Sequence, residues 1–107
     1  LAAQPLAAGP RSSSATLTFH QYGVPTTQVS TTDPFEVRGA GFRASFPVSV
    51  CFSGDHCLMT EVDAAGSFVQ NRSMSAAGLY TVAANQPRNR QLDNWLQKAV
   101  AQITISN

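Results

Sequence analysis

The sequence predicts an all-β domain, built as an antiparallel sandwich or barrel and preceded by an extended N-terminal arm. Three observations support this fold class: short stretches in which apolar and polar residues alternate, turn residues at regular spacing between those stretches, and a change of composition near residue 15. A chain of 107 residues has the length of one domain. We therefore assign residues 1–14 to the arm and residues 15–107 to the sandwich.

The arm reads LAAQPLAAGPRSSS and consists of small residues, prolines and serines without any periodicity. Such a composition favours an extended segment that becomes ordered only against a partner. We expect Leu1, Gln4, Pro5, Leu6 and Pro10 to make assembly contacts, and the alternative is a linker between domains. The start at Leu1 indicates either a processed product or a fragment of a longer chain.

Alternation predicts strands over residues 15–19, 35–38, 46–52, 67–70, 79–84 and 98–106. Residues 26–32 are polar and β-prone, which favours an exposed strand or a sheet edge. Leu92, Trp95 and Leu96 have helical spacing with Ala99, so a short helical turn is one interpretation. We favour a strand that begins at Trp95, because Trp95 shares its parity with the inward residues of the last strand.

A hairpin is predicted about the turn Ser53-Gly54-Asp55, and it places Cys51 opposite Cys57. Its inward cross-strand pairs are then Phe52–His56, Val50–Leu58, Val48–Thr60 and Phe46–Val62. Opposed cysteines in an antiparallel pair can form a disulfide, which favours an oxidising compartment. Two alternatives remain, a pair of reduced thiols and a metal site that adds Asp55 and His56. The spacing C-x5-C without a second ligand pair argues against zinc, so we expect no metal.

The runs FEVRGAGFRASFPVSVCFSG, EVDAAGSFVQ, SAAGLYTVAANQ and AVAQITISN resemble bacterial and phage immunoglobulin-like domains. The resemblance extends from about Ala15 to Asn107 and implies a Greek-key sandwich of about seven strands. The residues that define the pattern are Gly39, Gly41, Phe42, Asp63, Gly66, Phe68, Gly78, Tyr80 and Val82.

Tyr80 resembles the tyrosine that ties a corner of such sandwiches through its hydroxyl, and it is also suited to be a core aromatic. A more distant resemblance is to the neocarzinostatin-like apoproteins, which share the Gly-x-Gly opening and a hairpin disulfide. Those proteins usually carry a second disulfide, which a chain with two cysteines cannot form.

Composition and motifs argue against several functions. The net charge is +1 and the arginines are scattered, so we expect no nucleic-acid binding. No apolar run approaches the ~20 residues that span a bilayer, so we expect no membrane insertion. The sequence contains no Gly-x-Ser-x-Gly elbow and no phosphate-binding loop, and its acidic residues are isolated. We therefore predict no catalytic residues and no cofactor.

These observations predict a non-catalytic interaction module. The first hypothesis is an accessory or decoration protein on the surface of a virion, docked on protein partners of a capsid, tail or surface layer. The alternatives are a secreted or bacterial cell-surface domain that binds host-surface carbohydrate or protein through its loops, and a small-ligand carrier of the chromophore-apoprotein type. Leu92, Trp95 and Leu96 would serve as an interface anchor if exposed, whereas a buried Trp95 would cap the core.

Overall fold

The computed structural model describes residues 15–86 and 98–107, and over these ranges the chain forms nine β-strands. Their bounds are β1 Thr16–Gln21, β2 Val24–Pro25, β3 Gln28–Ser30, β4 Phe35–Ala40, β5 Val48–Phe52, β6 Asp55–Thr60, β7 Phe68–Arg72, β8 Gly78–Asn85 and β9 Lys98–Ser106. Within these ranges, no helix is long and apolar enough to cross a membrane.

The strands form two packed sheets. One sheet has five strands in the order β3-β9-β8-β5-β6, and the other has four in the order β2-β1-β4-β7. The chain passes from β4 to the β5–β6 hairpin in the opposite sheet, returns to pair β7 with β4, and crosses again to place β8 between β5 and β9. This is the Greek-key connectivity of an immunoglobulin-like sandwich and confirms the predicted fold class.

Two details differ from the expected all-antiparallel sandwich of about seven strands. The segment after β1 forms two additional short strands, β2 beside β1 and β3 in the other sheet. In addition, β3 pairs in parallel with β9, with Gln28 opposite Thr104. The parallel pair arises because the chain reverses direction after β1 and again between β2 and β3, so that β3 runs in the same direction as β9.

The core lies between the sheets and is built from alternate residues of each strand. Phe19, Phe35 and Phe52 form a series of edge-to-face contacts with ring centroids 6.4 and 6.1 Å apart. The predicted inward residues Leu17, Val48, Val50, Ala99, Ile103 and Ile105 are buried with them, as is Phe19. Period two in the sequence therefore identified the buried face of these strands correctly.

Part of the predicted inward set is exposed. Leu58 is 53% exposed and His56 is also exposed, because β6 is the last strand of its sheet and its inward face extends past the cover of the opposite sheet. Phe46 is 37% exposed and does not pair with Val62, because the chain turns at Ser45 and β5 begins only at Val48. Val62 itself is buried.

Several predictions concern residues outside the described ranges. These are the arm, with Leu1, Gln4, Pro5, Leu6 and Pro10, and the anchor residues Leu92, Trp95 and Leu96. The choice between a helical turn and a strand before Lys98 also falls there.

Candidate functional site

The β5–β6 hairpin carries the predicted disulfide, since Cys51 and Cys57 are bonded to each other. Its register matches the prediction from Val48–Thr60 to Val50–Leu58 and then shifts, so that Phe52 pairs with Asp55 and not with His56. The turn is therefore Ser53-Gly54, with φ of 49° and 81°, as a two-residue hairpin turn of the primed type requires. His56 becomes the additional residue of a β-bulge, and its φ is 53°.

Arg72 stabilises this bulge from the opposite sheet. Its guanidinium donates to the carbonyl of His56 at 2.6 Å and to Oε1 of Gln70 at 2.7 Å, with a longer contact to the carbonyl of Val50 at 3.4 Å. It also lies over the ring of Phe52, 4.6 Å from the centroid. Burial removes water from the guanidinium and lowers the pKa of Arg72 from its usual value.

Gln70 and Arg72 together close the sandwich on this side. Gln70 donates to the carbonyl of Leu58 at 3.4 Å, while Arg72 binds the carbonyl of His56 in the same strand. Both side chains therefore connect the four-stranded sheet to the inner face of the β5–β6 hairpin. Sequence reasoning missed this function, although the parity of Phe68 already places Gln70 and Arg72 on the inward face.

The pattern residues at the end of β4 and in the turn before β7 act through close packing. Gly39 faces the ring of Phe68, and a Cβ at this position would overlap that ring. A Cβ on Gly66 would lie 2.6 Å from the carbonyl oxygen of Phe42, which stacks on Phe68 with centroids 5.5 Å apart. Gly41 directly follows β4.

Two further pattern residues tie turns by hydrogen bonds. Asp63 Oδ1 accepts from the backbone N–H groups of Ala65 and Ser67, both at 2.9 Å. The Tyr80 hydroxyl donates to the carbonyl of Ala76 at 2.7 Å, and the Tyr80 ring contacts Phe52 with centroids 6.1 Å apart. Tyr80, which follows Gly78 at the start of β8, therefore has both the corner contact and the core contact.

Few side chains in the part of the chain that the structure describes are arranged for catalysis or metal binding. No group of three or more His, Cys, Asp or Glu side chains is arranged to hold a metal ion among these residues. Cys51 and Cys57 are not available as thiolates because they are bonded to each other. Glu36 forms an ion pair with Arg38 at 2.7 Å on the outer face of the four-stranded sheet.

A cleft opens on the other side of the sandwich, between β1 and β9. Its volume is about 500 Å³, within the roughly 300–1,000 Å³ typical of ligand sites. None of the described residues that line it carries a charged side chain. We call it the edge cleft, and its lining residues are Leu17, Thr18, Phe19, Pro25, Thr26, Thr27, Ala101 and Gln102.

An unpaired strand edge borders the cleft along β9. Within the described ranges, β3 pairs only with Thr104–Ser106, so the stretch from Lys98 to Ile103 has no partner on that side. Thr81 directs its N–H and C=O to Ser53 and thus away from β9. Because Gln102 lies opposite Thr81, the backbone groups of Gln102 point away from β8, as those of Thr104 do when its N–H donates to Thr27.

The same holds on the β1 side of the cleft. The carbonyl of Phe19 accepts from the N–H of Thr26, so the odd residues of this strand direct their backbone groups away from β4. Beyond the two residues of β2, no described strand covers Leu17. Among residues 15–86 and 98–107, the edge cleft therefore combines an apolar floor with backbone donors and acceptors on both rims that have no strand partner, which is the arrangement that an extended polypeptide satisfies.

Comparisons with known proteins support the fold. The CARDB domain of the PF1109 protein from Pyrococcus furiosus, whose crystal structure is a complex with di-metal ions, is similar in structure with a TM-score of 0.54 at 13% sequence identity. The match covers 86% of this chain and 90% of that domain. At this identity the likeness shows a shared β-sandwich fold. No protein-family model matches the sequence, and no curated protein matches it.

Proposed function

We propose that this chain is a non-catalytic immunoglobulin-like module that decorates a virion or a similar large assembly and docks partly through its N-terminal arm. The observation that carries the proposal is the edge cleft, whose described lining is apolar and without charged side chains and whose two rims have no strand partner within residues 15–86 and 98–107. Such edges invite pairing with another polypeptide segment. The low content of charged residues, 12% of the chain, is also suited to packing against protein.

Limited trypsin digestion tests this function, because Arg11 lies within the arm. We would digest two samples, the isolated full chain and the largest particle that contains this chain after sedimentation of an extract from the organism that produces it. The cleavage products would be identified by mass spectrometry. The proposal expects cleavage at Arg11 to be fast for the isolated chain and strongly slowed in the particle. Cleavage at the exposed Arg43 serves as an internal reference for protease access. A chain that sediments as a small species, with equal cutting at Arg11 in all fractions, would contradict the proposal.

A second candidate is carbohydrate binding by a secreted or cell-surface domain. Tyr22 is 82% exposed and borders a shallow pocket of about 250 Å³ together with His20, Glu36 and Asn71. An exposed ring beside polar groups offers an apolar surface and hydrogen bonds to one ligand. The formed disulfide is consistent with an oxidising compartment. Titration with neutral oligosaccharides, followed by intrinsic fluorescence in the wild type and in Tyr22→Ala, supports this function only if the wild type alone responds.

The small-ligand alternative makes a different prediction for the edge cleft. A carrier would bind an apolar dye of drug-like size in the cleft with saturable stoichiometry, and the substitution Leu17→Gln would reduce that binding. Saturable dye binding that an added peptide with the sequence of residues 1–14 does not displace would favour the carrier over the assembly module.

A further inference from the structure

We infer that the edge cleft receives the N-terminal arm of a second copy of this chain, which adds to β9 as an extra strand. The inference rests on the proposed function and names the segment that docks. The segment that docks is Leu1–Ala8. The surface that receives it is the open stretch of β9 from Lys98 to Ile103, together with the cleft beneath that stretch.

The lengths of the two partners agree. The open stretch from Lys98 to Ile103 extends about 20 Å at ~3.3 Å per residue. A fully extended arm of 14 residues reaches at most about 50 Å. Residues 1–8 are therefore sufficient to cover the open edge, and residues 9–14 remain as a tether of up to about 20 Å to the body of the donor copy.

The chemistry of the arm matches that of the cleft. Between Leu1 and Ala8 the arm carries no charged side chain, and none lines the edge cleft. Burial of this uncharged segment therefore leaves no side-chain charge without a partner. Backbone N–H and C=O groups on the arm would satisfy those of Gln102 and its alternate neighbours on β9.

The single proline of this segment determines which of its residues can pair with β9. Pro5 has no N–H and is tolerated in an edge strand only where its nitrogen faces away from the neighbouring strand. Its alternate neighbours Gln4 and Leu6 then direct their backbone groups to β9. In the inferred pairing, the side chain of Leu6 projects on the face opposite that of Pro5, towards the edge cleft whose lining includes Leu17 and Ala101.

A proline on β9 tests this pairing. Gln102→Pro removes the N–H that faces the open edge and leaves the pairing with β8 intact, whereas Gln102→Ala retains the N–H and serves as the matched control. Sedimentation equilibrium of the full chain should show self-association in the wild type and in Gln102→Ala, weakened about tenfold or more in Gln102→Pro. Equal dissociation constants for the two variants, or a wild type that stays monomeric at millimolar concentration, would overturn the inference.

A second variant guards against a folding defect in Gln102→Pro. Leu6→Asp lies in the arm and places a charge in the uncharged cleft, so it should weaken association by a similar factor. Leu6→Met is its matched control and should retain association. If Leu6→Asp associates as tightly as Leu6→Met, the arm does not occupy the cleft.

Cross-linking identifies the copy that supplies the arm. We would mix a full chain carrying Leu6→Cys with one carrying Ala101→Cys under mild oxidation and identify the products by mass. The inference expects a mixed dimer that joins these two positions. A double variant that cross-links only within one chain, with no mixed dimer between single variants, would show that each copy fills its own cleft and would overturn the exchange.

The inference and the proposed function fail in different experiments. If the chain co-sediments with a particle but Gln102→Pro associates normally, the assembly function stands and the cleft is not the receiving site. If the arm exchanges between copies but the chain is found in no particle, the receiving site stands and the decoration function fails.

Discussion

The contribution of Arg72 to stability provides a quantitative test of how the sandwich closes along β6. Arg72→Met removes two short hydrogen bonds from a charged donor, to His56 at 2.6 Å and to Gln70 at 2.7 Å. At about 1.5–3 kcal/mol for each bond, this loss amounts to about 3–6 kcal/mol. Burial of the methionine side chain offsets about 1.5–3 kcal/mol. We therefore expect the free energy of unfolding to fall by about 1.5–3 kcal/mol.

Urea unfolding followed by circular dichroism measures this change. Arg38→Met is the matched control, because Arg38 pairs with Glu36 on the outer face with its side chain 42% exposed, and we expect its loss to cost less than about 1 kcal/mol. Arg72→Lys should be intermediate, since a single ammonium group does not reproduce the planar fork that binds both acceptors. If Arg72→Met lowers the free energy of unfolding no more than Arg38→Met does, the hydrogen bonds of Arg72 do not stabilise the fold as proposed.

Three further predictions concern the hairpin and the corner, all measured by urea unfolding. Replacing Cys51 and Cys57 together by alanine should lower the free energy of unfolding by about 2 kcal/mol, the value for so short a closed loop; a loss under 0.5 kcal/mol would contradict it. His56→Gly should raise stability by about 1 kcal/mol by relieving the left-handed conformation, and equal stability of His56→Ala and His56→Gly would contradict it. Tyr80→Phe should cost about 1 kcal/mol, whereas Tyr22→Phe, whose ring is exposed, should cost nothing measurable; equal effects would contradict the corner role.

The interior strands were the part of the fold that the sequence predicted best. A strand covered on its inner face by the other sheet must alternate, and Val48, Val50 and Phe52 alternate for that reason. Leu58 shows where the argument fails, because parity gives the direction of a side chain and not whether a neighbour covers it. Coverage depends on the position of a strand within its sheet, and β6 is an edge.

The hairpin tip shows a second limit of sequence reasoning. Symmetry about Gly54 predicted the pairing of Cys51 with Cys57 but placed His56 opposite Phe52. The chain instead uses a two-residue turn and accommodates the additional residue as a bulge at His56. Positive φ is uncommon for any residue other than glycine, and although histidine is enriched there with asparagine and aspartate, this local preference is too weak to indicate the bulge. The disulfide within the hairpin and the hydrogen bond from Arg72 in the opposite sheet hold it in place.

The candidate site was accessible to prediction only in part. The polar, β-prone segment 26–32 indicated a sheet edge, and the structure forms β3 there. The edge cleft results from how short β2 and β3 are and from the sheet crossing between them, so that β1 and β9 each keep an edge without a strand partner among the described residues. No local motif encodes such a gap.

The most direct test of the edge cleft as a docking surface is hydrogen exchange at the backbone amide of Gln102. Its N–H faces the open edge, so in the isolated chain at low concentration it should exchange much faster than the amide of Ile103, which pairs with β8. In the native assembly, we expect exchange at Gln102 to slow at least about tenfold while that at Ile103 changes little. An equal exchange rate for Gln102 in the isolated and assembled states would contradict the account.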